Sequence, residues 1–545
     1  MGPLPSIERL IQRIRDNDPS LTEIDFRNVD GSRSYNFQSG SSEFRDLLAS
    51  LRMNHMVTNV NIIQRFLKDL SDEEKLELFE TVGSLPSLEQ FRWGSSGLAR
   101  LHLDLLNAGL RKTHGRLKSL TLHSIHFKDN VYCKTGNSDN TTDPEYLEFL
   151  EILGHVLKDS LESFTIQDVE DSFDLDSLVS VLTTLPNLKE LTIRSYSPIN
   201  QRLTQQSVIK LFASESIEKL SLRRLRLGPV LPELLVSLED NTSLRYLSLE
   251  QNGLNFECGM ALAYLLTSNH TLQELYLGYN MIPDDCGSAM AGALSSNQVL
   301  HTLDLTANGL ELYTCRRFAH LIASNESALK HLTLNQNSLR DEGVAMIAAG
   351  VGQNETLKSL SLAETLITEV SCSVIVASLR TNRTLERLNL GDNQVKDEGC
   401  KTLAVALQYN STLTSLNLHG NKLRDGGVVA LAEALKSNTT LERINLAKNP
   451  MLTPVAYKAL EDMLEEDNYT LQHLWLPNTL DIVMPHSDIS SFIRLNRLGR
   501  NQLLDELDNT LLWLRAIEAA AAEDLRCLYF LVRANPTVVS WFSTS

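Results

Sequence analysis

The stretch Leu413–Thr440, LTSLNLHGNKLRDGGVVALAEALKSNTT, reads as one complete structural unit, and LERINLAKN begins the next at Leu441. Leu416 and Leu418 alternate with Ser415, Asn417 and His419, the period-two pattern of a half-buried strand. After a turn, Val428, Leu431, Ala432 and Leu435 fall at i, i+3, i+4 and i+7, which is one face of a helix. Asp425 is the expected N-cap of that helix, and Asn438 the expected left-handed residue that closes it. One unit is therefore strand, turn, helix, turn. A single copy has nothing against which to bury its apolar faces, so its neighbours must supply the core.

Equivalent strand starts stand at Leu244, Leu272, Leu300, Leu329, Leu357, Leu385, Leu413 and Leu441, every spacing being 28 residues except one of 29. Asparagine holds the ninth position as Asn252, Asn280, Asn308, Asn337, Asn393, Asn421 and Asn449, and Thr365 interrupts the series. This L-x-x-L-x-L-x-x-N pattern resembles the leucine-rich repeat, in the long strand–helix form of ribonuclease-inhibitor-like proteins. Eroded copies start at Leu21, Val57, Leu88, Leu117, Leu161, Leu188 and Ile217, and a last copy at Leu471. Strands stack about 4.8 Å apart whereas helices need roughly 8–10 Å, and the mismatch bends such a stack. The expected fold is α/β, a leucine-rich repeat solenoid or horseshoe with parallel strands inside, helices outside and helical caps at both ends.

The expected organisation is a capping helix over 1–20, carried by Ile7, Leu10, Ile11 and Ile14, then about sixteen repeat units over 21–480. Those units are irregular over 21–243 and regular over 244–470, and a helical cap fills 481–545. In that last segment SFIRLNRLGRNQLL and DLRCLYFLVRANP resemble the end of leucine-rich repeat proteins of unicellular algae, which implies a capping role. Its Arg494, Arg497 and Arg500 read as a solvated basic stripe. Two polar insertions, 30–42 and 129–144, read as surface loops.

The composition, 42% hydrophobic and 22% charged, is that of a soluble folded chain. A net charge of −18 argues against nucleic acid and anionic membranes as partners. With no secretory signal and no long apolar run, cytoplasm or nucleus is the expected compartment. Cys315, Cys372 and Cys400 align with Val428, and Cys258 and Cys286 with the slot before it, so all are expected to be reduced and packed. Eight N-x-S/T sequons recur at the repeat spacing, at Asn241, Asn269, Asn325, Asn354, Asn382, Asn410, Asn438 and Asn468, and are read as part of the repeat. No phosphate loop and no G-x-S-x-G is present, and His123, His331, His419 and His473 lie several strands apart. No cofactor, no metal and no catalytic residues are expected.

Alternation places the third, fifth, seventh and eighth residues of each unit on the inner face. Most are Ser, Thr, Asn or Gln, and against them one basic–aromatic cluster stands out: Arg194, Lys219, Arg223, Arg224, Tyr246, Tyr276 and Tyr279. Arg and Tyr are favoured interface anchors. A plain alternative is that Glu190 pairs with Lys219 and Glu250 with Arg223, leaving a neutral face. His473 with Trp475 is a second, smaller candidate. The reading is a monomeric, non-enzymatic scaffold that binds another protein on its inner surface. Two other resemblances stay open: the ligand-reading repeats of immune receptors without their nucleotide-binding domain, and GTPase-activating proteins of the Ran-regulating type. The latter carry an acidic tail, where this sequence has VVSWFSTS.

Overall fold

The computed structural model describes residues 6–26, 37–94, 103–123, 144–169, 174–195, 203–477, 488–505, 510–523 and 525–535. The chain divides into two compact units, Met1–Leu254 with Ser268–Tyr276, and Asn255–Thr267 with Leu277–Ser545. The first unit holds β1 (Glu23–Asp25), β2 (Asn59–Ile63), β3 (Gln90–Gly94), β4 (Ser119–His123), β5 (Ser163–Val169), β6 (Glu190–Ser195), β7 (Lys219–Arg223), β8 (Tyr246–Ser248) and β9 (Glu274–Tyr276). The second holds β10 (Thr302–Asp304), β11 (His331–Thr333), β12 (Ser359–Ser361), β13 (Arg387–Asn389), β14 (Ser415–Asn417), β15 (Arg443–Asn445) and β16 (His473–Trp475). Within each unit every strand runs parallel to the next in sequence, with a helix between them. This is the α/β leucine-rich repeat solenoid expected from the repeats.

Register follows the leucines. Leu303, Leu332, Leu360, Leu388, Leu416, Ile444 and Leu474 pair in turn across β10 to β16. All but the last are buried, so each repeat adds one rung to a continuous apolar core.

The turns after the strands are held by asparagine. Asn421 is fully buried; its Nδ2 donates 2.8 Å to the Leu390 carbonyl of the preceding repeat, and its Oδ1 accepts from the Val395 N–H. Asn393 bonds Leu362 O and the N–H groups of Thr365 and Ile367, and Asn449 bonds Leu418 O and the N–H groups of Asn421 and Leu423. A short carboxamide carries donors and acceptors together, so one side chain satisfies main-chain groups of two repeats. Thr365 has no amide, and its hydroxyl reaches only Leu362 O of its own repeat, at 2.7 Å. In the first unit most strands lack this asparagine, and β2 to β7 run five to seven residues instead of the three seen from β8 onward. Where no side chain pulls the backbone inward, main-chain pairing continues.

A second asparagine ladder follows the helices. Asn438 donates to Leu407 O (2.7 Å) and Asn410 O (3.1 Å) and accepts from the N–H groups of Thr440 and Leu441. Asn382, Asn410 and Asn468 do likewise. The Thr384 and Thr440 hydroxyls donate to Asn354 O and Asn410 O, so both ends of the N-x-T motif serve the stack. The expectation that Asn438 is left-handed fails, since Asn438 does not have positive φ. Asn325, with φ of 57°, does adopt that conformation, and it is exposed.

Asp425 also differs from expectation. It is the first residue of the helix Asp425–Leu435 rather than its cap, and its carboxylate accepts from the N–H of Thr453 in the next repeat, at 2.8 Å. Asp397 accepts from Arg424 N–H, Asp341 from Thr368 N–H and hydroxyl, and Asp284 from the N–H groups of Glu311, Tyr313 and Thr314. Each carboxylate thus serves the helix start of the following repeat, where unpaired N–H groups favour an anion. Burial raises the carboxyl pKa of Asp284 and Asp341, but these hydrogen bonds outweigh it and hold both below the ordinary value.

Cys258, Cys286, Cys315, Cys372, Cys400 and Cys527 are buried free thiols, and Cys133 lies outside the described residues. Cys286, Cys315, Cys372 and Cys400 pack where a glycine of a neighbouring helix leaves room: a Cβ on Gly399 would stand 2.8 Å from Cys372 Sγ, and one on Gly427 2.9 Å from Cys400 Cβ. Burial pushes the Cys372 thiol up to about 12, far from reactivity.

A helix spans Ser6–Arg15 and buries Ile11 and Ile14. Helices also span Ile489–Arg497, Arg500–Asp505, Thr510–Glu523 and Leu525–Ala534, and Asn496 extends the second ladder by donating to Asn468 O and Leu471 O. The basic stripe is solvated only in part, with Arg497 exposed and Arg494 and Arg500 half-buried. Arg497 Nε donates to Gln472 O, and Arg500 donates to Leu464 O and Glu465 O beneath the Tyr469 ring, 4.4 Å from its guanidinium carbon. Of the two insertions, 30–36 and 129–143 lie outside the described residues. Phe37, expected in a surface loop, is instead buried against Phe44 and Phe66.

Two outcomes are expected. Asn421→Ala strands several buried main-chain groups and should destabilise by about 3 kcal/mol in chemical denaturation, whereas Asn421→Thr, with the hydroxyl found at Thr365, should cost less. The Asp341 pKa is depressed by folding, so its stabilisation is present above the unfolded value of about 3.9 and is lost as pH falls through the folded one. Thermal melts between about pH 5 and about pH 3 should therefore show a smaller loss for Asp341→Asn than for the unaltered protein.

Candidate functional site

The strand face of the first unit is ordered by register into rows. Glu190, Lys219, Tyr246 and Glu274 form one row across β6 to β9, and Thr165, Thr192, Ser221, Ser248 and Tyr276 the next across β5 to β9. A third row sets Gln167, Arg194 and Arg223 side by side on β5, β6 and β7. Alternation sends Leu191, Ile193, Leu220 and Leu222 into the core and these side chains to the opposite face.

Four of the seven expected residues, Arg194, Lys219, Arg223 and Tyr246, line one recess of about 300 Å³ together with Gln167, Glu190, Thr192 and Ser221. Tyr276 joins them through its ring, 4.9 Å from that of Tyr246 and tilted by 34°, while its hydroxyl donates to Glu274 at 2.8 Å. Arg224 stands apart: it has a left-handed backbone, φ 58°, and its Nε donates to Gln251 Oε1. Tyr279 belongs to the second unit, where it is 47% exposed and its N–H donates to Thr306 O. Gln167 and Glu274 were not singled out from the sequence. Nothing in their type marks them; only the neighbouring strands show that Gln167 lines the recess and that Glu274 stands next to Tyr246 in register and accepts from Tyr276.

Both ion pairs of the plain alternative are present. Lys219 Nζ lies 2.7 Å from Glu190 Oε1, and Arg223 lies 3.1 Å from Glu250 Oε1. The hydrogen bond to Glu190, then its charge, raises the Lys219 pKa. The pairing does not neutralise the third row, because no carboxylate among the described residues forms an ion pair with Arg194. The Nε donors of Arg194 and Arg223 are both covered and lack a hydrogen-bond partner. The cluster is also less exposed than a free ladder: Arg194, Arg223, Tyr246 and Tyr276 are half-buried, and Lys219 is exposed.

The second candidate pair stacks, with His473 and Trp475 rings 5.6 Å apart and Trp475 47% exposed. Burial, followed by the nearby Arg497 and Arg443 charges, lowers the His473 pKa. His419 lies 2.9 Å from Asp392. Among the described residues no group of His, Cys, Asp and Glu could hold a metal ion, and no helix is long and apolar enough to cross a membrane.

By its strand order and repeat register each unit has a leucine-rich repeat fold of parallel strands alternating with helices. A leucine-rich repeat family model matches residues 381–404 and 409–432. No curated protein sequence matches the chain. Among solved structures, the chain is similar to an internalin from Listeria monocytogenes, with 17% identity over 67% of this chain and 82% of that one, at a TM-score of 0.35. It is also similar to the actin-binding site 2 of leiomodin-1, with 22% identity over 28% of this chain and 90% of that one, at a TM-score of 0.27.

Arg194 and Arg223 are like charges at paired positions of adjacent strands, an arrangement that costs a few tenths of a kcal/mol or more. Arg194→Gln should leave stability unchanged or raise it by about 0.5 kcal/mol at low salt, with the gain shrinking as salt is added. A loss above about 1 kcal/mol would mean that Arg194 holds the fold.

Proposed function

We propose that this protein is a non-enzymatic scaffold whose strand face binds another protein, with Arg194, Lys219, Arg223, Tyr246 and Tyr276 as the contact cluster. The observation that carries this reading is the recess itself, where two guanidiniums and a tyrosine pair converge on a rigid backbone. A surface fixed by continuous parallel strand pairing loses little entropy on binding, which favours recognition. Arg and Tyr are the side chains that most often anchor interfaces, and both are half-buried here, so their rotamers are already restricted. The length of the unit and its helix support the ribonuclease-inhibitor-like form of the repeat. On the same reading the segments 1–20 and 481–545 close the repeats of 21–480, the latter as in the algal proteins that its sequence resembles, and the protein acts in the cytoplasm as a monomer.

Affinity capture tests the proposal. Arg223→Ala combined with Tyr276→Ala should keep near-native stability and lose the captured partners, since truncating anchors costs on the order of 2 kcal/mol each in affinity. Glu433→Ala with Lys436→Ala, an exposed helix pair 2.9 Å apart, should lose none. Full retention of partners by the first pair would place recognition elsewhere.

A further inference from the structure

The recess of the first unit has a charge pattern specific enough to name what enters it. Its first row is balanced or acidic: Lys219 is engaged by Glu190, and Glu274 lies beyond Tyr246 in register. Its third row is not. Gln167, Arg194 and Arg223 stand together there, the one ion-paired carboxylate is Glu250 on Arg223, and Arg194 has no counter-ion among the described residues. The third row therefore carries one more cation than carboxylate, offset over the whole cluster by Glu274 of the first row, and its Arg194 is half-buried. The hydroxyl-bearing Thr192 and Ser221 line the same recess, and the Tyr246–Tyr276 pair borders it.

We propose that this recess takes the side-chain carboxylate of an Asp or Glu in an extended segment of a partner protein, with Arg194 as its anchor and a neighbouring residue of that segment against Tyr246 and Tyr276. This rests on the reading that the strand face binds a protein. A guanidinium presents a planar fork of donors that matches a carboxylate, and the bond between ionised partners is stronger than a neutral one. The Nε donors of Arg194 and Arg223 are covered by neighbouring atoms, so an incoming oxyanion meets the exposed part of the Arg194 side chain and leaves the Arg223–Glu250 pair intact. Arg194 alone lacks an ion-pair partner among the described residues, which suits a singly charged carboxylate better than a doubly charged phosphoryl group, whose second charge would stand uncompensated beside Glu190 and Glu250. The half-burial of both guanidiniums strengthens the attraction, because water screens it less.

Three sets of fluorescein-labelled extended peptides on a Gly–Ser frame test this by anisotropy with the full-length protein. Each carries one central residue, Glu, Gln or phosphoserine, between randomised flanks. The Glu set should bind about tenfold more tightly than the Gln set, with enrichment of aromatic or aliphatic flanks. Arg194→Gln should abolish that preference, Arg194→Lys should keep part of it, and Arg224→Gln, outside the recess, should keep it all. The inference is overturned if the Glu and Gln sets bind alike or neither binds. It is equally overturned if the phosphoserine set or phosphatidylserine vesicles bind more tightly than Glu. The comparison on the unaltered protein stands even where a variant fails to fold. If Arg194→Gln keeps every captured partner while Arg223→Ala with Tyr276→Ala loses them, the carboxylate anchor is wrong and the protein-binding reading stands. If the double variant also loses none, that reading falls as well.

Discussion

Everything in this fold depends on satisfying main-chain groups at the two places where the backbone leaves a regular element inside the stack. A buried N–H or C=O without a partner costs about 1–3 kcal/mol, and every repeat creates several. In the second unit asparagine answers at both places. Asn393, Asn421 and Asn449 tie each post-strand turn to the repeat before it, and Asn382, Asn410, Asn438 and Asn468 do so after each helix. Since every bond crosses a repeat boundary, one repeat cannot open without exposing donors and acceptors in the next. This couples nearest neighbours, the feature that makes a one-dimensional stack cooperative.

The aspartate ladder adds a different kind of coupling. Asp284, Asp341, Asp397 and Asp425 each stand in the first turn of a helix yet hold N–H groups at the start of the following repeat. The negative charge therefore sits at two helix N-termini at once, where both macrodipoles favour it. Small residues complete the contact. Gly399 and Gly427 admit the cysteines of neighbouring helices at distances that any Cβ would close, so these free thiols occupy space rather than carry chemistry.

The repeats, their register and the identity of the face-forming side chains were legible because they depend on periodicity alone. Leu416 had to face the core and Ser415 the other side. The ion pairs Lys219–Glu190 and Arg223–Glu250 were legible for the same reason, being offset by one repeat. What was not legible depends on a neighbour's position in space. Asp425 looked like a local cap because the sequence does not show the Thr453 N–H that competes for it. Asn438 looked like a left-handed terminator, yet its carboxamide is committed to Leu407 and Asn410, which fixes another backbone conformation. Arg500 looked solvated until the carbonyls of Leu464 and Glu465 took its donors. Half-burial of the arginines in the recess belongs to this class too.

Regular repetition also limits where a binding site can form. In the second unit the strand face repeats polar side chains that satisfy one another: Asn389 donates to Ser361, Ser361 donates to Asn335, and His419 meets Asp392. A face that closes on itself offers little to a partner. In the first unit the side chains vary from strand to strand, so register brings together groups that do not match. Arg194 beside Arg223, with Glu250 ion-paired to only one of them, is such a mismatch, and it costs repulsion and two unmade hydrogen bonds. Departures from local consistency are expected at functional sites, because a ligand can supply what the fold withholds. The carboxylate we propose would supply the counter-charge that Arg194 lacks, and the irregularity of the first unit is what sets that mismatch up.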